Sequence, residues 1–175
     1  MRGPGSGETT RSRGGSAGAK DGVALAVALA ACLAAGAIGS VATVDAIPTW
    51  YAALRKPAWN PPNWVFGPVW TTLYLLMGGS AWLVWRRAGW TGAKVGLLLF
   101  VVQLLLNAAW SLVFFGMQRP GWAFVEIVVL WLAIAGTLQR FWVVRPAAGA
   151  LLVPYLAWVT FAAALNFAIW RLNTA

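Results

Sequence analysis

Apolar residues form five long segments along this chain, and short polar connections separate them. Asp, Glu, Lys and Arg are absent from residues 22–44, 65–85, 95–118 and 146–170, and residues 120–139 contain only Glu126. About 20 apolar residues, rising about 1.5 Å each, are enough for a helix to cross a hydrocarbon core. The pattern predicts an all-α membrane domain over residues 22–175. Its five predicted spans are residues 22–44, 65–85, 95–118, 120–141 and 147–170.

The composition supports a membrane protein. Apolar residues make up 61% of the chain and charged residues 10%, against about 45–50% and about 25% in soluble domains. Residues 1–21 differ from the rest because they are rich in Gly, Ser, Thr and Arg. A segment of this composition buries too little apolar surface to order itself, so we expect a disordered tail there.

The net charge of +9 comes from cations in the connections between spans, which is typical of membrane topology and not of a nucleic-acid surface. An internal N-terminus leaves nine cations inside: Arg2, Arg11, Arg13, Lys20, Arg86, Arg87, Lys94, Arg140 and Arg145. Four then lie outside: Arg55, Lys56, Arg119 and Arg171. This bias predicts that the connection 45–64 lies on the outer side.

Three spans each carry a face that combines aromatic and polar side chains at helical spacing. The second span has Phe66, Trp70, Leu73, Tyr74 and Met77; the third has Gln103, Asn107, Trp110, Ser111 and Phe114; the fifth has Tyr155, Trp158, Ala162, Leu165, Asn166 and Ile169. These faces fit two interpretations equally well, a helix-packing surface with interhelical hydrogen bonds or the wall of a ligand pocket.

Two other features of the spans favour structural roles. Small residues recur every fourth position at Ala28, Cys32, Gly36 and Ser40, which predicts close helix packing within the bundle or across a dimer. Glu126 is expected to pair with a cation or with polar groups of a neighbouring helix, because a lone acid makes a poor proton relay.

The residue inventory disfavours metal-based chemistry. The chain has no histidine and one cysteine, so we expect no metal site, no His-ligated haem and no required cofactor. The segment before Cys32 resembles a lipoprotein processing site, but the chain continues apolar from Leu33 to Val44, unlike a mature lipoprotein.

Tryptophan is concentrated around the first outer connection. Seven of the 13 tryptophans lie between residues 50 and 90, and an indole suits either a bilayer interface or the wall of a pocket for a flat apolar ligand. Three prolines stiffen the segment 56–64. We therefore predict a preordered lid that carries Trp59 and Trp64.

Several long motifs resemble one known family. They are WYAALRKPAWNPPNWVFGPVWTTLY at residues 50–74, LNAAW at 106–110, FFG at 114–116, PYLAW at 154–158, LN at 165–166 and WR at 170–171. In this order they closely resemble the translocator protein family, also called tryptophan-rich sensory proteins or peripheral benzodiazepine receptors. The resemblance extends from about residue 22 to the C-terminus.

The resemblance implies a five-helix membrane bundle, usually a homodimer, with a pocket beneath the first loop that accepts porphyrins such as protoporphyrin IX and other hydrophobic ligands. Carried over by motif, the pocket residues are Trp59, Trp64, Phe66, Trp70, Tyr74, Asn107, Trp110, Trp122, Trp158, Ala162 and Leu165. Two departures limit the analogy. Phe167 stands where the cholesterol motif of eukaryotic members needs a tyrosine, and Ala108 stands where many relatives have an aromatic residue.

Three functions are consistent with the resemblance, and the first is favoured. It is a sensor that holds a tetrapyrrole between indoles, with its propionates near Arg55, Lys56 or loop donors. The second is an enzyme that degrades porphyrin in light, with Trp70 and Trp158 as its candidate catalytic residues. The third is a transporter, although the five spans show no inverted repeat. The expected location is a membrane of a bacterial cell envelope.

Overall fold

The computed structural model describes residues 12–174, with side chains from residue 18 onward. Within this range the chain is helical and contains no strand, which confirms the predicted all-α bundle. The helices are α1 (Ser12–Val44), α2 (Phe66–Ser111), α3 (Pro120–Val144) and α4 (Pro146–Asn173). Two π-helical turns, Ile47–Tyr51 and Leu112–Gly116, and a 3-10 turn, Asn63–Val65, lie between them.

The helix α2 contains two of the five predicted spans. As one straight helix its 46 residues would be about 69 Å long at about 1.5 Å per residue, twice what one crossing needs. The helical backbone is interrupted at Gly89 (φ 63°, ψ −171°) and at Ala93 (φ −125°, ψ 17°). The positive φ at the first position favours glycine, which lacks a Cβ. The first arm of α2 (66–88) and the second arm (94–111) therefore act as separate spans.

Helix α1 begins earlier than the sequence predicts. Residues 12–21, assigned to a disordered tail, belong to α1, and the remaining tail residues 1–11 lie outside the described part. The Asp21 carboxylate is 3.1 Å from Arg86 Nε, and Trp82 Nε1 donates a hydrogen bond to the Asp21 carbonyl oxygen at 3.1 Å. These contacts attach the helix to the first arm of α2 before the apolar span begins.

The bundle core lies mainly among α2, α3 and α4. Its fully buried side chains include Met77, Val84, Ile134, Phe141 and Tyr155.

The small residues of α1 pack inside the bundle. Cys32 is fully buried in the core, and a Cβ added at Gly36 would overlap the Tyr74 ring. One turn after Tyr74 on the first arm, a Cβ at Gly78 would lie 3.1 Å from Leu29 Cα. Glycine thus allows two helix backbones to approach closely. Packing within the bundle accounts for Cys32 and Gly36 without a second copy of the chain.

The expected partner of Glu126 is missing from the described residues. Both of its carboxylate oxygens are buried and make no hydrogen bond within the described part of the chain. The residues one turn to either side, Ala123 and Leu130, are apolar and buried. The prediction of a paired acid is therefore wrong for the part of the chain that the structure describes.

Candidate functional site

A cavity of about 440 Å³ lies at the end of the bundle that carries the loop 45–64, within the size range of small-molecule pockets. It is enclosed by α1, both arms of α2, the two π-helical turns and α4. Its lining residues from α1 and the first π-helical turn are Leu33, Gly36, Ala37, Gly39, Ser40, Thr43, Val44, Ile47 and Tyr51. From the 3-10 turn and α2 they are Asn63, Phe66, Gly67, Trp70, Thr71, Tyr74, Trp110 and Ser111. The remainder are Phe114, Phe115, Trp158, Ala162, Leu165, Asn166 and Ile169.

Three indoles form the aromatic walls, and each comes from a different span. Trp70 stacks on Tyr74, with ring centroids 5.5 Å apart. Trp110 stacks on Phe114 at 5.1 Å. On α4, Trp158 meets the edge of Phe66 at 6.0 Å. Aromatic neighbours at these distances hold each ring in place and leave apolar surface for a flat ligand.

A chain of buried hydrogen bonds lies beneath the Tyr74 side of the cavity. The Tyr74 hydroxyl donates to Asn107 Oδ1 at 2.6 Å, and Asn107 Nδ2 donates to Tyr155 Oη at 3.2 Å. Tyr155 donates in turn to Gln103 Oε1 at 2.9 Å. Each polar group here has a partner, as a low-dielectric interior requires. Asn107 therefore fixes the position of Tyr74 without lining the cavity itself.

A second hydrogen-bonded pair fixes Trp110. Its indole Nε1 donates to Asn166 Oδ1 at 3.1 Å, and Asn166 Nδ2 donates to the Pro120 carbonyl oxygen at 2.8 Å. The second arm of α2 is thereby joined to α4 and to the start of α3.

The cavity lining carries no formal charge. Among the described residues that line it, none is Asp, Glu, Lys or Arg. Three of its hydroxyls donate to carbonyl oxygens four residues earlier: Ser40 to Gly36, Thr43 to Gly39 and Thr71 to Gly67. Their protons are used by the helix backbone, so these oxygens can only accept hydrogen bonds from a ligand. With no charge and few polar groups, the lining suits a mainly apolar ligand.

The loop above the cavity is held by specific hydrogen bonds. The Asn173 side chain accepts from Arg55 N at 3.0 Å and donates to Arg55 O at 2.9 Å, which joins the loop to the end of α4. Tyr51 donates to Asn60 Oδ1 at 2.8 Å. Burial raises the pKa of the Tyr51 phenol above its usual 10, and the bond to Asn60 opposes this shift. The phenol thus remains a donor at neutral pH.

Lys56 also holds the loop. Its ammonium donates to the carbonyl oxygens of Tyr51, Ala52 and Leu54 at 2.7, 3.2 and 3.0 Å. It also lies 4.9 Å from the Tyr51 ring centroid. Because an ammonium has three donors, these bonds occupy all of them. The expectation that Lys56 receives a ligand carboxylate is therefore not supported by this geometry.

Comparison with known proteins is consistent with this architecture. The TspO/MBR family model matches residues 28–171. The chain belongs to the TspO/MBR family. It is 47% identical over 151 residues to the tryptophan-rich protein TspO of Chlorobaculum tepidum, covering 85% of this chain and 95% of that protein.

Relatives from other organisms support the same family. The chain is 48% identical over 126 residues to the human translocator protein, covering 71% of this chain and 75% of the relative. It is 43% identical over 145 residues to the tryptophan-rich sensory protein of Cereibacter sphaeroides, covering 83% and 88%. In the described part of this TspO/MBR chain, α1, α2, α3 and α4 are each long and apolar enough to cross a membrane, so it is a multi-pass membrane protein.

The structure brings most of the motif-derived TspO/MBR residues together. Those that line the cavity are Phe66, Trp70, Tyr74, Trp110, Trp158, Ala162 and Leu165. Asn107 lies behind Tyr74, as described above. The other three, Trp59, Trp64 and Trp122, do not line the cavity and are 50%, 74% and 70% exposed.

The three exposed indoles are placed by their local geometry. Trp59 packs edge-on against Phe161, with ring centroids 5.7 Å apart. Trp64 lies in the 3-10 turn that precedes α2, and Trp122 lies in the first turn of α3. These positions are typical of an aromatic belt at a membrane interface. The three residues therefore lie outside the wall of this cavity, and their contribution to ligand binding stays a prediction.

Sequence reasoning missed the contribution of α1 and of the π-helical turns. The spacing of Gly36 and Ser40 predicts helix packing alone, yet both line the cavity. Tyr51 and Phe115 also line it. Tyr51 and Phe115 lie inside the family motifs at residues 50–74 and 114–116. That position could have indicated them as cavity residues.

Proposed function

We propose that this chain is a membrane receptor that senses porphyrins, binding the tetrapyrrole in the cavity beneath the loop. The observation that carries the proposal is the convergence of Trp70, Trp110 and Trp158 on one uncharged cavity. A flat macrocycle gains from aromatic surfaces and loses nothing to unpaired charges. The sensory name of the relative from Cereibacter sphaeroides supports the same function.

The uncharged lining determines how a porphyrin lies in this cavity. Its two propionates carry charge and are costly to bury without partners. The macrocycle therefore lies among the indoles, and the propionates reach towards the loop and water. Of the two loop cations, Lys56 already binds backbone carbonyl oxygens. Arg55 is exposed and is the loop cation that meets the propionates. No cofactor is needed for this function, because the porphyrin is itself the ligand.

Two further properties belong to the proposal. We expect a homodimer, as the family resemblance implies. Helix α1 offers a surface for it, because only 11% of its most apolar 18-residue stretch is buried within one copy of the chain. We also expect the protein to reside in a bacterial envelope membrane. Chemical cross-linking in native membranes and fractionation of the envelope test these two expectations.

Binding is expected to be saturable. Protoporphyrin IX should quench the intrinsic tryptophan fluorescence with a dissociation constant in the micromolar range, about −8 kcal/mol. Trp70→Phe should reduce the amplitude of the quenching, because it removes an indole from the cavity wall. Trp122→Phe changes an exposed indole outside the cavity, so the dissociation constant should stay at the wild-type value. Titration in detergent, with empty micelles as a reference, gives the amplitude and the dissociation constant of each variant. Quenching that never saturates, as in empty micelles, would contradict a specific site.

Iron is expected to add little to binding. The chain has no histidine, so no imidazole is available to ligate haem. Haem and metal-free protoporphyrin IX should therefore bind with dissociation constants within about threefold, less than 1 kcal/mol. Parallel titrations measure this ratio, and the absorbance spectrum of the haem complex reports its ligation. A low-spin spectrum with a strong axial ligand from the protein would disprove the prediction.

A second candidate function is light-dependent porphyrin degradation. The observation in its favour is that Trp70 and Trp158, from different spans, both line the cavity. Both indoles would therefore lie beside a bound macrocycle, where they are the most easily oxidised side chains available.

A further inference from the structure

Helix α1 and the first arm of α2 touch in only part of their length. Their close approaches are at Gly78, where an added Cβ would be 3.1 Å from Leu29 Cα, and at Gly36 against the Tyr74 ring. Nearer the loop, α1 leans on a different part of the bundle. A Cβ at Gly39 would lie 2.9 Å from Ser111 Oγ, and one at Gly116 would lie 3.6 Å from Ala42 Cβ. The two helices therefore diverge beyond Gly36.

The divergence leaves a cleft, and its rim is exposed. On α1 the rim consists of Ala37, Ser40 and Val44, and on the other side it consists of Asn63, Gly67 and Thr71. All six line the cavity and are exposed. The opposite wall is closed, since Phe114, Leu165 and Ile169 are 2%, 6% and 1% exposed. The cavity thus opens to the side, between α1 and the first arm of α2.

The other possible routes into the cavity are obstructed. The loop is attached to the end of α4 through both hydrogen bonds between Asn173 and Arg55. Between the first arm of α2 and α4, Trp158 packs against Phe66 and Phe161, with centroids 6.0 and 5.4 Å apart. A shallow groove outside this wall is lined by Pro68, Leu76 and Pro154, among others, and Trp158 separates it from the cavity.

We propose that the cleft between α1 and the first arm of α2 is a lateral opening through which a flat hydrophobic ligand passes between the bilayer and the cavity. This inference rests on the proposed porphyrin-binding function. Lipid is the medium that such an opening faces, because both rims belong to membrane-spanning helices or their first turn. The hydroxyls of Ser40 and Thr71 donate to backbone carbonyl oxygens, so the rim offers no free hydroxyl proton to hold an apolar ligand during passage.

The test compares exchange rates with affinity for protoporphyrin IX. The protein is reconstituted in phosphatidylcholine nanodiscs, and quenching of tryptophan fluorescence is followed by stopped flow and at equilibrium. Ala37→Phe and Gly67→Phe narrow the opening from its two rims, and an added Cβ at Gly67 meets nothing within 4 Å. Ala31→Phe is the matched control, because Ala31 is exposed on α1 and does not line the cavity. Asn173→Ala releases the loop instead.

Both rim variants are expected to slow association and dissociation of protoporphyrin IX by about tenfold each. Because Ala37 and Gly67 also line the cavity, the equilibrium titration measures any change in the dissociation constant separately, and slowing of both rates is the signature of a narrowed opening. Ala31→Phe and Asn173→Ala should exchange at the wild-type rate. Wild-type exchange rates in both rim variants would overturn the lateral opening, and so would faster association in Asn173→Ala. A wild-type protein that shows no saturable quenching would instead refute the porphyrin-binding function, which keeps the two failures distinct.

Discussion

Asn107→Leu is expected to destabilise the protein by about 1–3 kcal/mol, the cost of leaving a buried polar group without a partner. Asn107 accepts the Tyr74 hydroxyl at 2.6 Å and donates to Tyr155 at 3.2 Å. Leucine is similar in size but can do neither. Tyr155 keeps its bond to Gln103, so the Tyr74 hydroxyl is the donor left unpaired. Unfolding in detergent, followed by circular dichroism, measures the loss.

A double-mutant cycle separates this mechanism from a simple change of packing. Tyr74→Phe removes the unpaired hydroxyl, so Asn107→Leu combined with Tyr74→Phe should be less destabilised than the sum of the two single variants. Interacting residues typically show a coupling of about 0.5–3 kcal/mol. Additive effects would show that the Tyr74–Asn107 bond contributes nothing. Because Tyr74 also stacks on Trp70, we expect Asn107→Leu to weaken porphyrin binding although it does not line the cavity.

The number of spans and their helical type could be predicted because each span needs only an uninterrupted apolar run. Their ends depend on local geometry that a hydropathy pattern does not contain. The second and third spans are the two arms of α2, joined without a longer loop and separated only by the non-helical backbone at Gly89 and Ala93. The third span continues into the π-helical turn Leu112–Gly116. Helix α1 begins at Ser12, ten residues before the apolar run. The sequence there is polar, and the contacts of Asp21 with Arg86 and Trp82 hold this part of the helix against α2.

The candidate site was predictable on the faces where aromatic and polar residues share a helical spacing. Trp70, Trp110 and Trp158 follow from that spacing, and all three line the cavity. Packing and cavity wall occur on the same faces, since Asn107 and Asn166 make interhelical bonds while their aromatic neighbours line the cavity. That a ligand occupies this cavity stays a prediction. Spacing does not reveal which helix a glycine faces.

Gly36 illustrates this limit. A small residue on a helix face indicates a close approach, but the partner is set by the crossing of two helices. Here the partner is the Tyr74 ring. The same crossing makes α1 a wall of the cavity.

Illumination of the porphyrin complex is expected to separate a sensor from an enzyme. If the protein only binds, bound and free protoporphyrin IX should bleach at similar rates in light and air. If it catalyses breakdown, the wild type should form a distinct product, with dioxygen as the terminal oxidant and an indole as the electron donor to the excited macrocycle. Absorbance and product chromatography after timed illumination distinguish these outcomes.

The two indoles make the enzymatic alternative specific. Trp70→Phe and Trp158→Phe keep an aromatic face in the cavity, but phenylalanine is far harder to oxidise than indole. Under the enzymatic mechanism each substitution should abolish the product while saturable binding persists, and Trp122→Phe, at a site 70% exposed and outside the cavity, should leave product formation intact. A light-dependent product that survives both cavity substitutions would show that neither Trp70 nor Trp158 is the electron donor. We expect binding without a distinct product, because the contacts found here position a ligand and none of them is specific to its oxidation.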